Sequence, residues 1–293
     1  METLSPADAR KVLEATQHSV KVDLGGVDVQ EKTITEDGVT VRLYIVRPTG
    51  VMGPLPGFLF FHGGGWILGD FPTHKRLVRD LVLYSGAASV FVEYSRSPEA
   101  KYPTAINECY AATKWVSLHG KEIGVDGTRL AVAGNSAGGN LAAVIALMAK
   151  DKKGPVIKFQ LLMWPVTNDD FNTTSFMEYG NVPTLTRNMM GWFWDSYIPD
   201  REKRTDHYAA PLKASPDELR GLPPAMVVVA ENDVLRDEGE AYARKMDDAG
   251  VDVTLLRVQG MVHDFALLNP LAAVPAVQAV LRAGGGELAN ALR

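Results

Sequence analysis

Ser136 lies in Gly134-Asn135-Ser136-Ala137-Gly138, which follows the apolar run Leu130-Ala131-Val132-Ala133 and precedes the helix-forming stretch Leu141 to Lys150. A serine on a sharp strand-to-helix turn is presented at the end of a sheet. Its Oγ then lies beside helix N–H groups whose partial positive charge favours a developing anion. Glycines suit the flanks because a side chain at either one would collide with the adjoining strand and helix. A Gly-rich turn whose serine merely caps a helix has the same letters, so the strand before and the helix after are what give the pattern its chemical meaning. A second run, Phe58-Leu59-Phe60-Phe61, opens into His62-Gly63-Gly64-Gly65-Trp66. Successive glycines let backbone N–H groups converge on one point, as a carbonyl oxygen turning into an oxyanion requires. A phosphate cradle is the rival use of such a loop, but no Lys-Ser/Thr follows it and no G-x-G-x-x-G is present.

A serine hydroxyl is a poor nucleophile until a base takes its proton and a carboxylate orients that base. Downstream of Ser136 the histidines are His207, in the charged stretch Arg204-Thr205-Asp206-His207, and His263, which follows the last apolar run in Gly260-Met261-Val262-His263-Asp264-Phe265. The second is the better candidate. For the carboxylate, Glu231, Asp233 and Asp237 follow the run Ala225 to Val229; strand-end placement favours Asp233, and Asp237 suits the first turn of the next helix. The chain order is then Ser, Asp, His.

These residues need elements to hold them. Val39, Val41, Leu43 and Ile45 alternate with polar positions, the period of a half-buried strand. Phe58–Phe61, Ser89–Val92, Leu130–Ala133, Phe159–Met163, Ala225–Val229 and Val253–Val258 are short apolar or β-rich runs suited to buried strands. Helical periodicity separates several of them: His74 to Tyr84, Thr104 to Leu118, Leu141 to Lys150 and Asp237 to Ala249, with a short leading helix after Ser5-Pro6. The alternation predicts an α/β fold, a mostly parallel central sheet flanked by helices. From Val166 to about Leu222 the rhythm breaks, and Phe171, Phe176, Tyr179, Trp192, Phe193, Trp194, Tyr197 and Tyr208 crowd together. This reads as a helical insertion over the carboxyl ends of the strands. Trp66, Trp192, Phe193 and Tyr197 are the candidate substrate-binding aromatics.

Five blocks in order resemble the hormone-sensitive-lipase-like family of α/β-hydrolases: His62-Gly63-Gly64-Gly65-Trp66, Val92 to Glu99 with Tyr102-Pro103, Gly134 to Asn140, Asp233 to Gly239, and Gly260 to His263. The resemblance implies one hydrolase domain over residues 1–293, with a helical cap from about 1–25 and about 166–222. It implies Ser136 as nucleophile, His263 as base and then acid, Asp233 as the orienting carboxylate, and Gly64, Gly65 and Ala137 as oxyanion donors. His62 is implied as a brace for the glycine loop. The implied activity is serine carboxylester hydrolysis of short- to medium-chain acyl esters, with no cofactor and with homodimers possible. Amides, lactones and acetylated sugars are alternative substrates, and a non-catalytic small-molecule receptor is the alternative use of the scaffold, which the presence of His263 argues against. The chain departs from the family pattern in four places: Asn135 stands where Asp is usual, Val234 where Pro is usual, Asp264 where Gly is usual, and Arg96-Ser97 where Leu-Ala usually precedes Pro98-Glu99. Asp264 puts a charge beside His263, where it would raise the imidazole or compete with Asp233.

Composition narrows the partners. With 30 Lys+Arg against 35 Asp+Glu the 293-residue chain carries a net charge of −5, and 46% of its residues are hydrophobic. That suits a folded protein and offers no basic footprint for nucleic acid. Cys109 is the sole cysteine, so no intramolecular disulfide forms, and no close metal-ligand spacing occurs. Cys109 is expected to pack in the core, and His18, His74 and His119 to lie on the surface. No run reaches the ~20 apolar residues of a membrane span, and no secretory signal is recognised at the start; the expected location is the cytoplasm.

Overall fold

The computed structural model describes residues 1–293. Ser5 caps α1 (Pro6–His18) by accepting the N–H of Asp8, with Pro6 in the first turn where it sacrifices no hydrogen bond. The chain continues through β1 (Val27–Glu36), β2 (Val39–Pro48), β3 (Leu55–Phe61), α2 (Phe71–Ser85), β4 (Ala88–Glu93), α3 (Thr104–His119), β5 (Val125–Asn135), α4 (Ala137–Asp151) and β6 (Ile157–Met163). The segment that follows contains α5 (Thr174–Tyr179), α6 (Arg187–Tyr197) and α7 (Pro216–Leu219), with two 3₁₀ segments, Arg201–Thr205 and Pro211–Lys213, between α6 and α7. Then come β7 (Ala225–Asn232), α8 (Arg236–Asp248), β8 (Val253–Val262) and α9 (Pro275–Ala291).

The eight strands form one sheet in the order β1-β2-β4-β3-β5-β6-β7-β8; β1–β2 and β2–β4 are antiparallel and every later pairing is parallel. Side chains of β3 divide between two cores, Leu59 and Phe61 on one face, Phe58 and Phe60 on the other. Residues of β5 and β7 divide the same way, with Val132 and Val227 on one side and Ala133 and Val228 on the other. Two-sided burial is why these strands are continuous apolar runs. The α/β-hydrolase architecture expected from the sequence is therefore the one observed.

One strand escapes sequence reading. Val27–Glu36 (VDVQEKTITE) is largely exposed and pairs only with β2, so it carries edge polarity without a long apolar signature. The segment between β6 and β7 contains helices and no strand, as expected. α2 starts three residues before the periodic stretch because Asp70 and Thr73 form a reciprocal capping box. No helix is long and apolar enough to cross a membrane.

Candidate active site

Tight packing puts Ser136 where it is. It has φ 55° and ψ −123° and ends β5 just before α4. A Cβ on Gly134 would run into Gly138, and one on Gly138 into the backbone of Phe61, so the turn closes only with glycine at both positions. Ser136 N donates to Met163 O at 2.9 Å, which ties the turn to the end of β6.

His263 Nε2 lies 3.0 Å from Ser136 Oγ, and its Nδ1 lies 2.7 Å from Asp233 Oδ2, with 127 and 30 residues of chain between the partners. All three side chains are buried. Asp233 leaves β7 and is held by the N–H of Leu235, which donates to its Oδ1 at 3.0 Å. A carboxylate on Nδ1 makes that nitrogen the N–H donor and leaves Nε2 as acceptor for the serine hydroxyl. The other acids are occupied elsewhere: Glu231 accepts from Gly260 N at 2.6 Å, and Asp237 accepts from Ser175 N at 2.8 Å. His207 sits among Asp151, Asp206 and Glu218.

The glycine loop follows β3. Gly64 and Gly65 have φ of 102° and 60°, and their N–H groups donate to no other group of the chain. Ala137 opens α4, and the first N–H groups of a helix have no partner within it. His62 is buried, stacked on Tyr94 at 4.0 Å, with its carbonyl accepting from Tyr94 Oη at 2.8 Å. His74 corrects the surface expectation: it is fully buried, and its Nε2 accepts the N–H of Gly63 at 3.3 Å. Burial lowers its pKa to about 4, so it is a neutral acceptor under the loop.

Burial also pushes the His263 imidazole down, but the charges of Asp233 and then Asp264 outweigh it and raise the pKa to about 9. Asp264 does not compete with Asp233 for Nδ1. Its Oδ2 stands 3.8 Å from Nε2, on the serine side of the ring.

A cavity of about 250 Å³ reaches Ser136 and His263. Its walls come from α1 (Val12, Leu13, Thr16), the glycine loop (Gly64, Gly65, Leu68), the stretch after β6 (Leu185, Met189, Phe193) and the histidine loop (Asp264, Leu268). Of the four candidate aromatics, Phe193 lines it. Trp66 and Tyr197 are corrected to core packing: they stack on each other at 4.3 Å and are fully buried, because α6 turns Trp194 and Tyr197 inward onto Trp66 of the glycine loop and leaves Phe193 of its neighbouring face toward the cavity. Trp192 packs against Phe193 and is absent from the cavity wall. Val12, Leu13 and Thr16 of α1 line the cavity although only their segment, as part of the cap, is expected there; the signal in the sequence is the apolar pair Val12 and Leu13 on a short helix. A larger groove of about 870 Å³, with Lys114, Lys152, Lys153 and Lys158 in its walls, touches none of the three residues above. No group of His, Cys, Asp and Glu side chains is arranged to hold a metal ion.

Residues 58–267 match the profile of a family described by the alpha/beta hydrolase fold. Carboxylesterase NlhH of Mycobacterium tuberculosis is 39% identical over 282 residues, covering 92% of this chain and 88% of that protein. Among solved structures, a thermostable esterase from Pseudomonas putida superposes with a TM-score of 0.99 at 60% identity, covering 100% of this chain and 92% of that one. The carboxylesterase EstE1 from a metagenomic library does so with a TM-score of 0.91 at 37% identity, covering 100% and 99%.

Proposed function

The chain belongs to the hormone-sensitive-lipase-like branch of the α/β-hydrolase family, and from that premise we propose that it hydrolyses short-chain carboxylic esters through an acyl-enzyme on Ser136. Membership in that family, with esterases among its close relatives, makes it a carboxylic ester hydrolase. The finer reading rests on one observation above all: the unbroken chain Asp233 Oδ2, His263, Ser136 Oγ at 2.7 and 3.0 Å.

In this mechanism His263 Nε2 takes the Ser136 proton as Oγ attacks the ester carbonyl carbon. The carbonyl oxygen becomes an oxyanion facing the N–H groups of Gly64, Gly65 and Ala137. Collapse breaks the C–O bond to the alcohol, which leaves with the proton from Nε2. A water then repeats the sequence on the acyl-enzyme and frees the acid. Asp233 holds the tautomer and stabilises the imidazolium.

Residues 1–25 and 166–222 act as the cap, since α1 and the stretch carrying Phe193 wall the cavity. The 250 Å³ space falls below the roughly 300–1,000 Å³ of pockets for drug-sized ligands, which favours acetyl and butyryl over long acyl groups. Half of its lining residues are hydrophobic and the Asp264 carboxylate is among the rest, which favours uncharged over anionic esters. A receptor reading loses ground because base, acid and serine are all in contact. Burst release of p-nitrophenol from the acetate ester, with fluorophosphonate labelling of Ser136, tests the proposal. An unlabelled serine in a folded, intact protein overturns it.

A further inference from the structure

Asn135 and Asp264 are two of the positions where the chain departs from the pattern it otherwise follows, an amide replacing a carboxylate and a carboxylate replacing glycine. In the folded protein the two departures meet. Asn135 Nδ2 donates to Asp264 Oδ1 at 3.0 Å, while its Oδ1 accepts the N–H of Gly63 at 3.1 Å. Trp164 Nε1 donates to the same Asp264 oxygen at 2.8 Å. The free Oδ2 of Asp264 is the atom turned toward His263 Nε2 at 3.8 Å. Asp264 also sits at φ 59°, in the left-handed region that glycine adopts freely and that aspartate tolerates better than most side chains. A carboxylate fixed by two N–H donors and kept beside the reacting histidine is a sign of use.

The two identities depend on each other. Asn135 is fully buried, so with glycine at 264 its Nδ2 would lose its partner. Aspartate at 135 would still accept from Gly63, but beside Asp264 it would set two acceptor oxygens against each other, and one would have to take up a proton. Aspartate at 135 with glycine at 264 removes the conflict.

We propose that Asn135 and Asp264 work as one unit of positioning residues that ties the glycine loop to the histidine loop and places a second carboxylate on the serine side of the imidazole. The inference rests on the esterase reading above. The groups facing His263 are Asp233 after β7, Asp264 on its own loop, Glu238 of α8 and the Ser136 hydroxyl; His74 of α2 faces Asp264. His74 is neutral, and Glu238 is held toward its protonated form by burial, so Asp233 and Asp264 are the charges that act on the ring.

The test is a cycle on the full-length protein, with N135D, D264G, the double variant and D264N, read as kcat and kcat/KM for p-nitrophenyl acetate against pH. N135D alone is expected to lose on the order of 100-fold in kcat, as for a catalytic group displaced by an ångström. The double variant should recover to within about tenfold of wild type, an epistasis that separate effects would not give. D264N keeps an oxygen for both N–H donors and removes the charge, so the acid limb of kcat/KM should move down by roughly one pH unit. Losses that simply multiply in the double variant, or an acid limb unmoved in D264N, overturn the proposal. If N135D does not fold, the comparison of D264G with the double variant decides, since aspartate at 135 should then raise kcat. Fluorophosphonate labelling of wild-type Ser136 separates the failures: an inert serine sinks the esterase reading, whereas a labelled serine with independent effects sinks only this unit.

Discussion

The ring of Phe193 occupies the space where a side chain on Gly65 would begin. Through this contact α6 presses directly on the glycine loop, so the helical segment after β6 and the proposed oxyanion donors share one surface. Gly65→Ala should therefore lose at least about 100-fold in kcat/KM, the usual order for loss of an oxyanion donor. Placing Phe193→Ala beside it should recover part of that loss, which steady-state kinetics on the single and double variants would measure.

Ser136→Ala should remain folded and lose roughly ten-thousand- to million-fold in kcat, the range for removing a nucleophile from such a unit. Asp233→Asn should lose roughly ten-thousand-fold, because an amide in place of the carboxylate stabilises the wrong tautomer. Single-turnover kinetics with circular dichroism as the folding control check both.

Ester hydrolysis needs the neutral imidazole, and Asp233 and Asp264 hold the His263 pKa up to about 9 against its burial. Activity should therefore rise with pH through an acid limb well above that of a free histidine. The same shift affects stability. A folded pKa above the unfolded value of about 6.5 means that the protonated form stabilises the fold fully below pH about 6.5, and that this contribution fades as pH rises through about 9. His263→Gln should remove that dependence, so thermal melts of both proteins across this window should converge toward high pH.

Arg10 forks onto Glu99 with both terminal nitrogens at 2.8 Å and also donates to Ile67 O and Ser97 O. It fastens α1, and with it Val12 and Leu13, over the cavity. Arg10→Ala should raise KM several-fold and weaken discrimination against longer acyl chains while kcat changes less. A series of p-nitrophenyl esters from acetyl to dodecanoyl is the measurement.

Gly138→Ala should fail to fold or lose activity completely, since the new methyl would enter the backbone of Phe61. Soluble yield and near-ultraviolet circular dichroism would show it.

Much of the site was legible from local pattern. Ser136 announced itself because a strand-to-helix turn needs small flanking residues, and His62 to Gly65 because only glycines let N–H groups converge. His74 was misplaced because a histidine on a helix shows nothing in sequence of the loop above it; only the fold brings Gly63 N onto its ring. Tyr197 is suggested by aromatic character and Trp66 by its place in the glycine loop, and neither signal distinguishes a wall from a stack. The edge strand β1 was invisible because exposure removes the apolar run on which strand reading depends.

By itself the sequence determined the alternation of buried strands and helices, the glycine-flanked turn that carries Ser136 and the placement of candidate acids and histidine at later strand ends, because these follow from short-range sterics and periodic burial. Tertiary structure alone decided the distances from Asp233 to His263 and from His263 to Ser136, that Phe193 and not Trp66 or Tyr197 reaches the cavity, and that Asn135 and Asp264 touch across 129 residues. Contacts of that span depend on how strand ends converge in space, and no local preference of the chain encodes the distance between two loops.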